Sequence, residues 1–311
     1  MSDKNREEIQ HAIGAQGTLV LHDVAGSIRL RGTDTDEVHV VAQPSSGDRM
    51  PQLVVRKSEG ALHIEPEERV LNLLGASFSR KAAIDFEVEL PRAARVEINT
   101  VSADVDAAGL TGDQRYRTVS GDLELERTGG RISLTTVSGD VKLIASDALE
   151  LEATTTSGDL ELDAAVLQLV RIRSVSGDAR LKGAFRAGPE HGMETVSGDL
   201  RLEPRAGLTV ETSRALEVSR GRRIVVGDGA ALFRFRSMSG DVRVAGGSET
   251  HEQPAPARTP PARTPTAPAA PPEPPAVPER TDSLEILRAL EAGEIDVEEA
   301  TRRLEEVAPH A

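Results

Sequence analysis

Aspartate recurs in one local setting along this chain, after a Ser-Gly pair, at Asp122, Asp140, Asp159, Asp178 and Asp199. Carboxylates at a constant interval have three chemical uses. They can hold a cation such as Ca²⁺ through oxygen ligands. Two on one face can serve as the acid and base of glycoside hydrolysis. They can also accept backbone N–H groups and close turns. Stacking puts like charges about 5 Å apart, a repulsion of roughly 0.8 kcal/mol per pair at the dielectric of water. The column therefore needs backbone hydrogen bonds, cations or outward splay. The turn reading explains every member. The calcium-binding nonapeptide roll is the nearest comparison for a metal column, but its glycine-rich repeat is absent.

The wider phrase is Thr-Val-Ser-Gly-Asp-Leu/Val. It occurs at Thr118–Leu123 and Thr136–Val141, with variants at Thr155–Leu160, Ser174–Ala179, Thr195–Leu200 and Ser237–Val242, and at Thr100–Val105 with Ala103 for glycine. From residue 103 to 198 the glycine position steps by 18, 18, 19, 19 and 21. Gly121, Gly139, Gly158, Gly177, Gly198 and Gly240 are thus the turn glycines, where a positive φ carries no steric cost. The interval from Gly198 to Gly240 is 42, two periods of 21, with a degenerate copy at Val218-Ser219-Arg220-Gly221 as the filler. A period near 20 signals a solenoid, each repeat stacking on its neighbours.

The elements that must position these turns are short strands. After each Ser-Gly-Asp the chain alternates apolar and polar, as in Leu123-Glu124-Leu125-Glu126 and Leu160-Glu161-Leu162. A second strand follows about nine residues later, as in Ile132-Ser133-Leu134. Two strands and their turns make one rung of a β-helix, with rungs about 4.8 Å apart. The outward residues two after each Asp test the register. Glu124, Lys142, Glu161 and Arg180 alternate in sign, and Arg201 follows; opposite charges on neighbouring strands are favourable.

The regular array spans 100–247 and continues less regular rungs over 17–99, where His22-Asp23-Val24-Ala25-Gly26-Ser27-Ile28 is a worn copy. Residues 1–16 form a polar tail or cap with a brief helix. The stretch Glu65–Ala83 breaks the strand rhythm and reads as an end cap or an exposed apolar patch. Residues 248–281 are rich in Pro and Ala, an extended linker. Residues 282–308 carry helical patterning: Leu284, Leu287 and Leu290 share a stripe, Gly293 ends the first helix, and Ile295 and Leu304 belong to the second. This hairpin is too small to be secure alone, so it docks on a protein partner, its own copy or the solenoid.

Composition narrows the function. The net charge of -14 over 311 residues argues against nucleic acid and anionic membranes. The chain has no cysteine and only 2% aromatic residues. This rules out thiolate metal sites and disfavours sugar or base recognition by stacking. No apolar signal segment follows Met1-Ser2-Asp3-Lys4 and no run is long enough to span a membrane; the expected location is cytoplasmic. The seven histidines are scattered off the repeat, and no nucleophile elbow, phosphate loop or zinc motif is present. Neither cofactor nor catalytic activity is expected.

The Thr-Val-Ser-Gly-Asp-Val/Leu copies over about 17–247 resemble the bacterial putative-adhesin family of β-strand-repeat domains, a domain of unknown function. The resemblance implies a right-handed parallel β-helix and no established activity. The tail from Leu284 to Ala300 is similar to short helical oligomerisation modules of bacterial proteins. Some relatives are linked to cell-envelope stress, which the resemblance extends here as an implication. The expected architecture is all-β, a solenoid of about 18–21 residues per rung plus a small α-helical hairpin. The leading expectation is a non-enzymatic scaffold tethered to a docking module. A surface adhesin or ligand-binding module exported unconventionally is the alternative, and a carbohydrate-active β-helix enzyme the third.

Overall fold

The structure is a computed structural model that describes residues 6–45, 51–67, 70–73, 76–79, 83–214 and 222–250. The linker beyond Thr250, the hairpin 282–308 with Leu284, Leu287, Leu290, Ile295 and Leu304, and the copy around Val218–Gly221 lie outside the described residues.

Within them the chain is all-β. Each Ser-Gly-Asp turn separates a strand that precedes it from one that follows it, and rungs stack into a pre-turn face and a post-turn face. On the pre-turn face, Thr18–His22, Arg95–Asn99 and Gln114–Thr118 lead in parallel into the later half of Leu123–Ser138. The later halves of Val141–Ser157 and Leu160–Ser176 follow, then Glu190–Ser197 and Ala231–Ser239. On the post-turn face, Ile84–Pro91, Ala25–Thr33 and Ser102–Ala108 lead to the earlier halves of the three long strands. Ala179–Phe185, Leu200–Pro204 and Val242–Val244 complete it. The three long strands run through both faces, with register shifts where the chain bends between them, at Glu126/Thr128 for example.

The glycine spacing and the strand register agree. Leu123 lies beside Val141, Val141 beside Leu160, Leu160 beside Ala179 and Ala179 beside Leu200. The worn copy also takes its place: Ala25 pairs Ser102 and Ser27 pairs Asp104, across 77 residues of sequence. The interval of 42 does not hold an extra rung. Thr195 pairs Ser237 and Leu200 pairs Val242 directly. Residues between them form Leu208–Arg214 and Arg222–Val226, an antiparallel pair. Leu208–Arg214 then lies beyond Ala231–Ser239, so the later strand is flanked by two earlier ones. A count of 42 cannot distinguish two rungs from one rung plus a hairpin.

Antiparallel strands close both ends. Glu7–Ala12 pairs Glu37–Pro44, which pairs Ile84–Pro91; Leu53–Ser58 pairs Ala61–Pro66. The first sixteen residues thus supply a strand rather than a brief helix, since Ile9 and Ile13 are both buried. At the other end Ser248–Thr250 pairs Arg222–Val226, so the domain continues three residues into the Pro/Ala-rich stretch. Val70–Leu73 and Ala76–Ser79 pair as a separate hairpin.

The interior is aliphatic. Leu19, Leu21, Ile28, Leu30, Leu125, Leu143, Leu151, Leu181 and Leu202 are fully or almost fully buried. At about 25 cal/mol per Å² of apolar surface removed from water, such burial is the main stabilising contribution. The scarce aromatics sit mainly in this core: Phe86, Tyr116, Phe185, Phe233 and Phe235 are all buried. Opposite the Ser-Gly-Asp corner, Gln114 donates to Thr128 Oγ1 at 2.9 Å and to the Gly129 carbonyl at 3.1 Å, and Tyr116 OH donates to Gln114 Oε1 at 3.0 Å. These bonds satisfy the polar groups that the return turn buries.

Candidate functional site

The corner carrying Thr-Val-Ser-Gly-Asp is the most regular feature of the molecule, and its parts follow from strand parity. Tyr116 and Thr118 point inward, so Val119 points outward; Leu134 and Thr136 point inward, so Val137 points outward. Three columns result: a buried hydroxyl column, an exposed apolar column and an aspartate column.

The aspartates form a hydrogen-bonded ladder. The backbone N–H of Asp140 donates to Asp122 Oδ1 at 2.9 Å, Asp159 N–H to Asp140 Oδ1 at 2.9 Å, and Asp178 N–H to Asp159 Oδ1 at 2.9 Å. Asp199 N–H donates to Asp178 Oδ1 at 2.8 Å and Asp241 N–H to Asp199 Oδ1 at 2.9 Å. Asp104 Oδ1 starts this run by accepting from Asp122 N–H at 3.1 Å. The backbone carbonyls work in the opposite direction: Leu123 N–H donates to the Asp140 carbonyl and Val141 N–H to the Asp159 carbonyl, each at 2.9 Å. One oxygen of each carboxylate from Asp104 to Asp199 is thus held by the next rung, which answers the repulsion between like charges. Bonds from backbone N–H to an ionised acceptor are the stronger kind. Among the described residues no group of three or more His, Cys, Asp or Glu side chains is arranged to hold a metal ion.

The turn glycines occupy a tight column. A Cβ on Gly139 would lie 2.4 Å from the Gly121 carbonyl oxygen, and one on Gly158 would lie 2.3 Å from that of Gly139. The comparable distance at Gly121, Gly177, Gly198 and Gly240 is 2.2 Å. Left-handed backbone is confined to part of the column: Gly158 has φ 137° and Gly177 φ 132°, and Gly139 is not among the positive-φ glycines. The shared reason for glycine is close approach of stacked backbone; conformational freedom matters at only some rungs.

Beneath the glycines run Thr118, Thr136, Thr155, Ser174, Thr195 and Ser237, whose hydroxyls are buried without a hydrogen-bond partner. Asp23 holds the same position in the worn copy, with Thr100 above it. Asp23 Oδ1 accepts from Val24 N–H at 2.7 Å, and Oδ2 is unpartnered. Burial pushes its carboxyl up to about 7, against the pull of the Val24 and Ala25 N–H groups.

Sequence patterning missed the apolar column, because it assigns valine to the core. Val101, Val119, Val137, Val175, Val196 and Met238 are 39%, 47%, 47%, 50%, 45% and 48% exposed, with Thr156 completing the series on the middle rung. Counting parity from the buried Tyr116 or Leu134 would have found it.

The outward charges pair between rungs. Lys142 Nζ lies 2.5 Å from Glu124 and Arg180 3.8 Å from Glu161, as the alternation of sign predicts. Arg201 turns instead to Glu203 of its own rung at 3.1 Å. Outside the array, His39 meets Glu8 at 2.6 Å and His11 the Ser58 carbonyl at 2.7 Å. His191 is buried: its Nδ1 accepts from Val170 N–H at 3.2 Å, so Nε2 carries the proton toward the Arg186 carbonyl at 2.9 Å. Burial lowers its pKa from the ordinary value. No helix among the described residues is long and apolar enough to cross a membrane.

Solved structures similar to the chain include a "putative cell adhesion protein" from Clostridium sporogenes, 9% identical over 77% of this chain and 98% of that one, TM-score 0.28. A "putative adhesin" from Bacteroides fragilis is 10% identical over 78% and 98%, TM-score 0.30. A "putative lipid binding protein" from Parabacteroides distasonis is 10% identical over the same shares, TM-score 0.28. No curated protein matches. The profile of one family covers residues 18–253, three quarters of the sequence and nearly all of the stacked rungs. The chain belongs to that family, the Toastrack DUF4097 domains.

Proposed function

We propose that this protein is a non-enzymatic interaction scaffold whose contact surface is the Val-Ser-Gly-Asp corner. The observation behind this reading is the column of half-exposed Val and Met side chains on successive rungs. Six such side chains are 39–50% exposed in one column interrupted by Thr156, and large apolar side chains aligned at the surface are what an interaction site presents. The aspartates beside it line an open groove together with Glu124, Lys142, Glu161, Arg180 and Arg201, and the carboxylates of Asp122, Asp140, Asp159, Asp178 and Asp199 each commit one oxygen to a backbone N–H of the next rung. The segment 282–308 supplies, on its sequence pattern, a second docking or self-association element at the end of a Pro/Ala-rich tether. A cytoplasmic location belongs to the same proposal and fits a cysteine-free chain; cell fractionation tests it.

The experiment is capture from lysate with the full chain, with Val119→Ser/Val137→Ser/Val175→Ser, and with a chain ending at residue 281. The triple variant should lose partners that wild type retains while melting at the same temperature. Identical capture by all three proteins would refute the corner as a contact surface.

A further inference from the structure

The corner is chemically lopsided, and this selects its partner. Along one flank of the apolar column run seven aspartates, Asp104, Asp122, Asp140, Asp159, Asp178, Asp199 and Asp241, one on each of seven rungs. The other flank is the outward position two residues before each Val or Met. It holds Arg117, Arg173 and Arg236, and these are already committed: Arg117 lies 3.0 Å from Glu97, Arg173 3.8 Å from Glu194 and Arg236 2.9 Å from Glu194. Beyond the aspartates stand Lys142, Arg180 and Arg201, paired with Glu124, Glu161 and Glu203, and Arg243, 4.0 Å from Asp199; a ligand seated on the stripe meets the aspartates before these cations.

Like charge opposes two occupants of the stripe. The segment 282–308 has nine Asp or Glu and three Arg, a net charge of -6. A second copy brings a chain of net charge -14. Repeat length decides between shapes. Rungs recur about every 4.8 Å. An extended strand laid along the stripe presents same-side residues every ~6.8 Å and loses register by its second contact. An α-helix places its apolar stripe every three or four residues at 1.5 Å rise, about 5.2 Å on average, and stays within half a rung over six intervals. Those intervals span roughly 29 Å, a helix of about 19 residues.

On the reading of the corner as a contact surface, we infer that its ligand is a basic amphipathic helix: an apolar stripe seated on Val101–Met238 and Lys or Arg along the side facing the aspartates. An amphipathic helix is recognised through apolar anchors joined to complementary charge, and here the anchors project from the corner beside the aspartates.

The test uses the full chain and synthetic 20-residue helices in a fluorescence-anisotropy titration at about 0.15 M salt, where charges farther apart than about 8 Å are screened. The expected ligand is a Leu/Lys peptide with Leu on one stripe and Lys beside it. The same composition scrambled to break the stripe, and a Leu/Glu peptide, should bind at least tenfold more weakly. Val119→Ser/Val137→Ser/Val175→Ser, which leaves every charge in place, should weaken the Leu/Lys peptide at least tenfold. Asp122→Asn/Asp140→Asn/Asp159→Asn should weaken it as well, the more so at low salt. Equal binding of the scrambled peptide, or full affinity in the triple Ser variant, would reduce the effect to bulk charge attraction and overturn the inference. Valine-dependent self-association of the full chain would overturn it in favour of a second copy. Absence of peptide binding with valine-dependent lysate capture intact would remove this ligand and leave the scaffold reading standing.

Discussion

Replacing Asp140, Asp159 and Asp178 together by Asn or by Ala separates the two roles a carboxylate plays in the ladder. Each Oδ1 accepts one backbone N–H from the next rung at 2.8–2.9 Å. Asparagine keeps an acceptor of the same shape; alanine does not. A typical intramolecular hydrogen bond contributes about 1 kcal/mol net, and one to an ionised acceptor about 1.5–3. These sites are exposed, so the freed N–H groups rehydrate, and about 1 kcal/mol per rung is the appropriate scale. Against it stands repulsion between neighbouring carboxylates, roughly 0.8 kcal/mol per pair before salt screening. The triple Asn variant exchanges stronger bonds for weaker ones but sheds repulsion, and should melt within about 1 kcal/mol of wild type. The triple Ala variant sheds the same repulsion and loses three bonds, so it should fall about 2–3 kcal/mol below the Asn variant. Urea unfolding followed by circular dichroism resolves a gap of this size. Equal stability of the Asn and Ala variants would show that the ladder bonds contribute nothing. A deep loss in the Asn variant, with added Ca²⁺ stabilising wild type and not the variant, would show that the charges serve a cation.

Three further outcomes follow from the geometry. Gly139→Ala should cost about 2 kcal/mol through overlap with the Gly121 carbonyl. Gly158→Ala should cost about 1–3 more because its φ of 137° is closed to Ala; thermal melting checks the order, and an equal or reversed one refutes it. The folded-state pKa of His191 lies below its ordinary 6.5, so its contribution to stability is present above pH 6.5 and is lost as pH falls through the folded value. His191→Gln should flatten that acid slope in urea titrations between pH 7 and 5, and an unchanged slope would exclude it. Asp23 runs the other way: with a folded value of about 7 against 3.8, its contribution is full below pH 3.8 and lost as pH rises through 7. Asp23→Thr restores the residue type of Thr118 and Thr136, and should raise the melting temperature at pH 8 more than at pH 4; the opposite ranking would contradict the burial of this carboxyl.

How much was legible in the sequence depended on whether a feature repeats. The spacing of Gly121, Gly139, Gly158, Gly177 and Gly198 carried the register because each rung must bring glycine under the carbonyl of its neighbour. The pairing of Lys142 with Glu124 followed from that register. The path between Gly198 and Gly240 was not legible, since length alone does not report which strand a segment pairs with. The strand at Glu7–Ala12 was obscured because Ile9 and Ile13, four apart, suit a helix as well as an extended chain. The exposed valines were hidden by a rule that is right on average: strong β-formers are assigned to the core, and only parity across the turn shows that threonine goes in and valine out.

The order of strands at the C-terminal end has a consequence for how the molecule is made. Leu208–Arg214 is synthesised before Ala231–Ser239, yet its seat is on the far side of that strand. Until Ala231–Ser239 is made, Glu190–Ser197 lacks its partner strand and Leu208–Arg214 has no seat on the column. A chain ending before residue 231 leaves that edge unpaired, and an unpaired strand edge is a template for pairing with another chain.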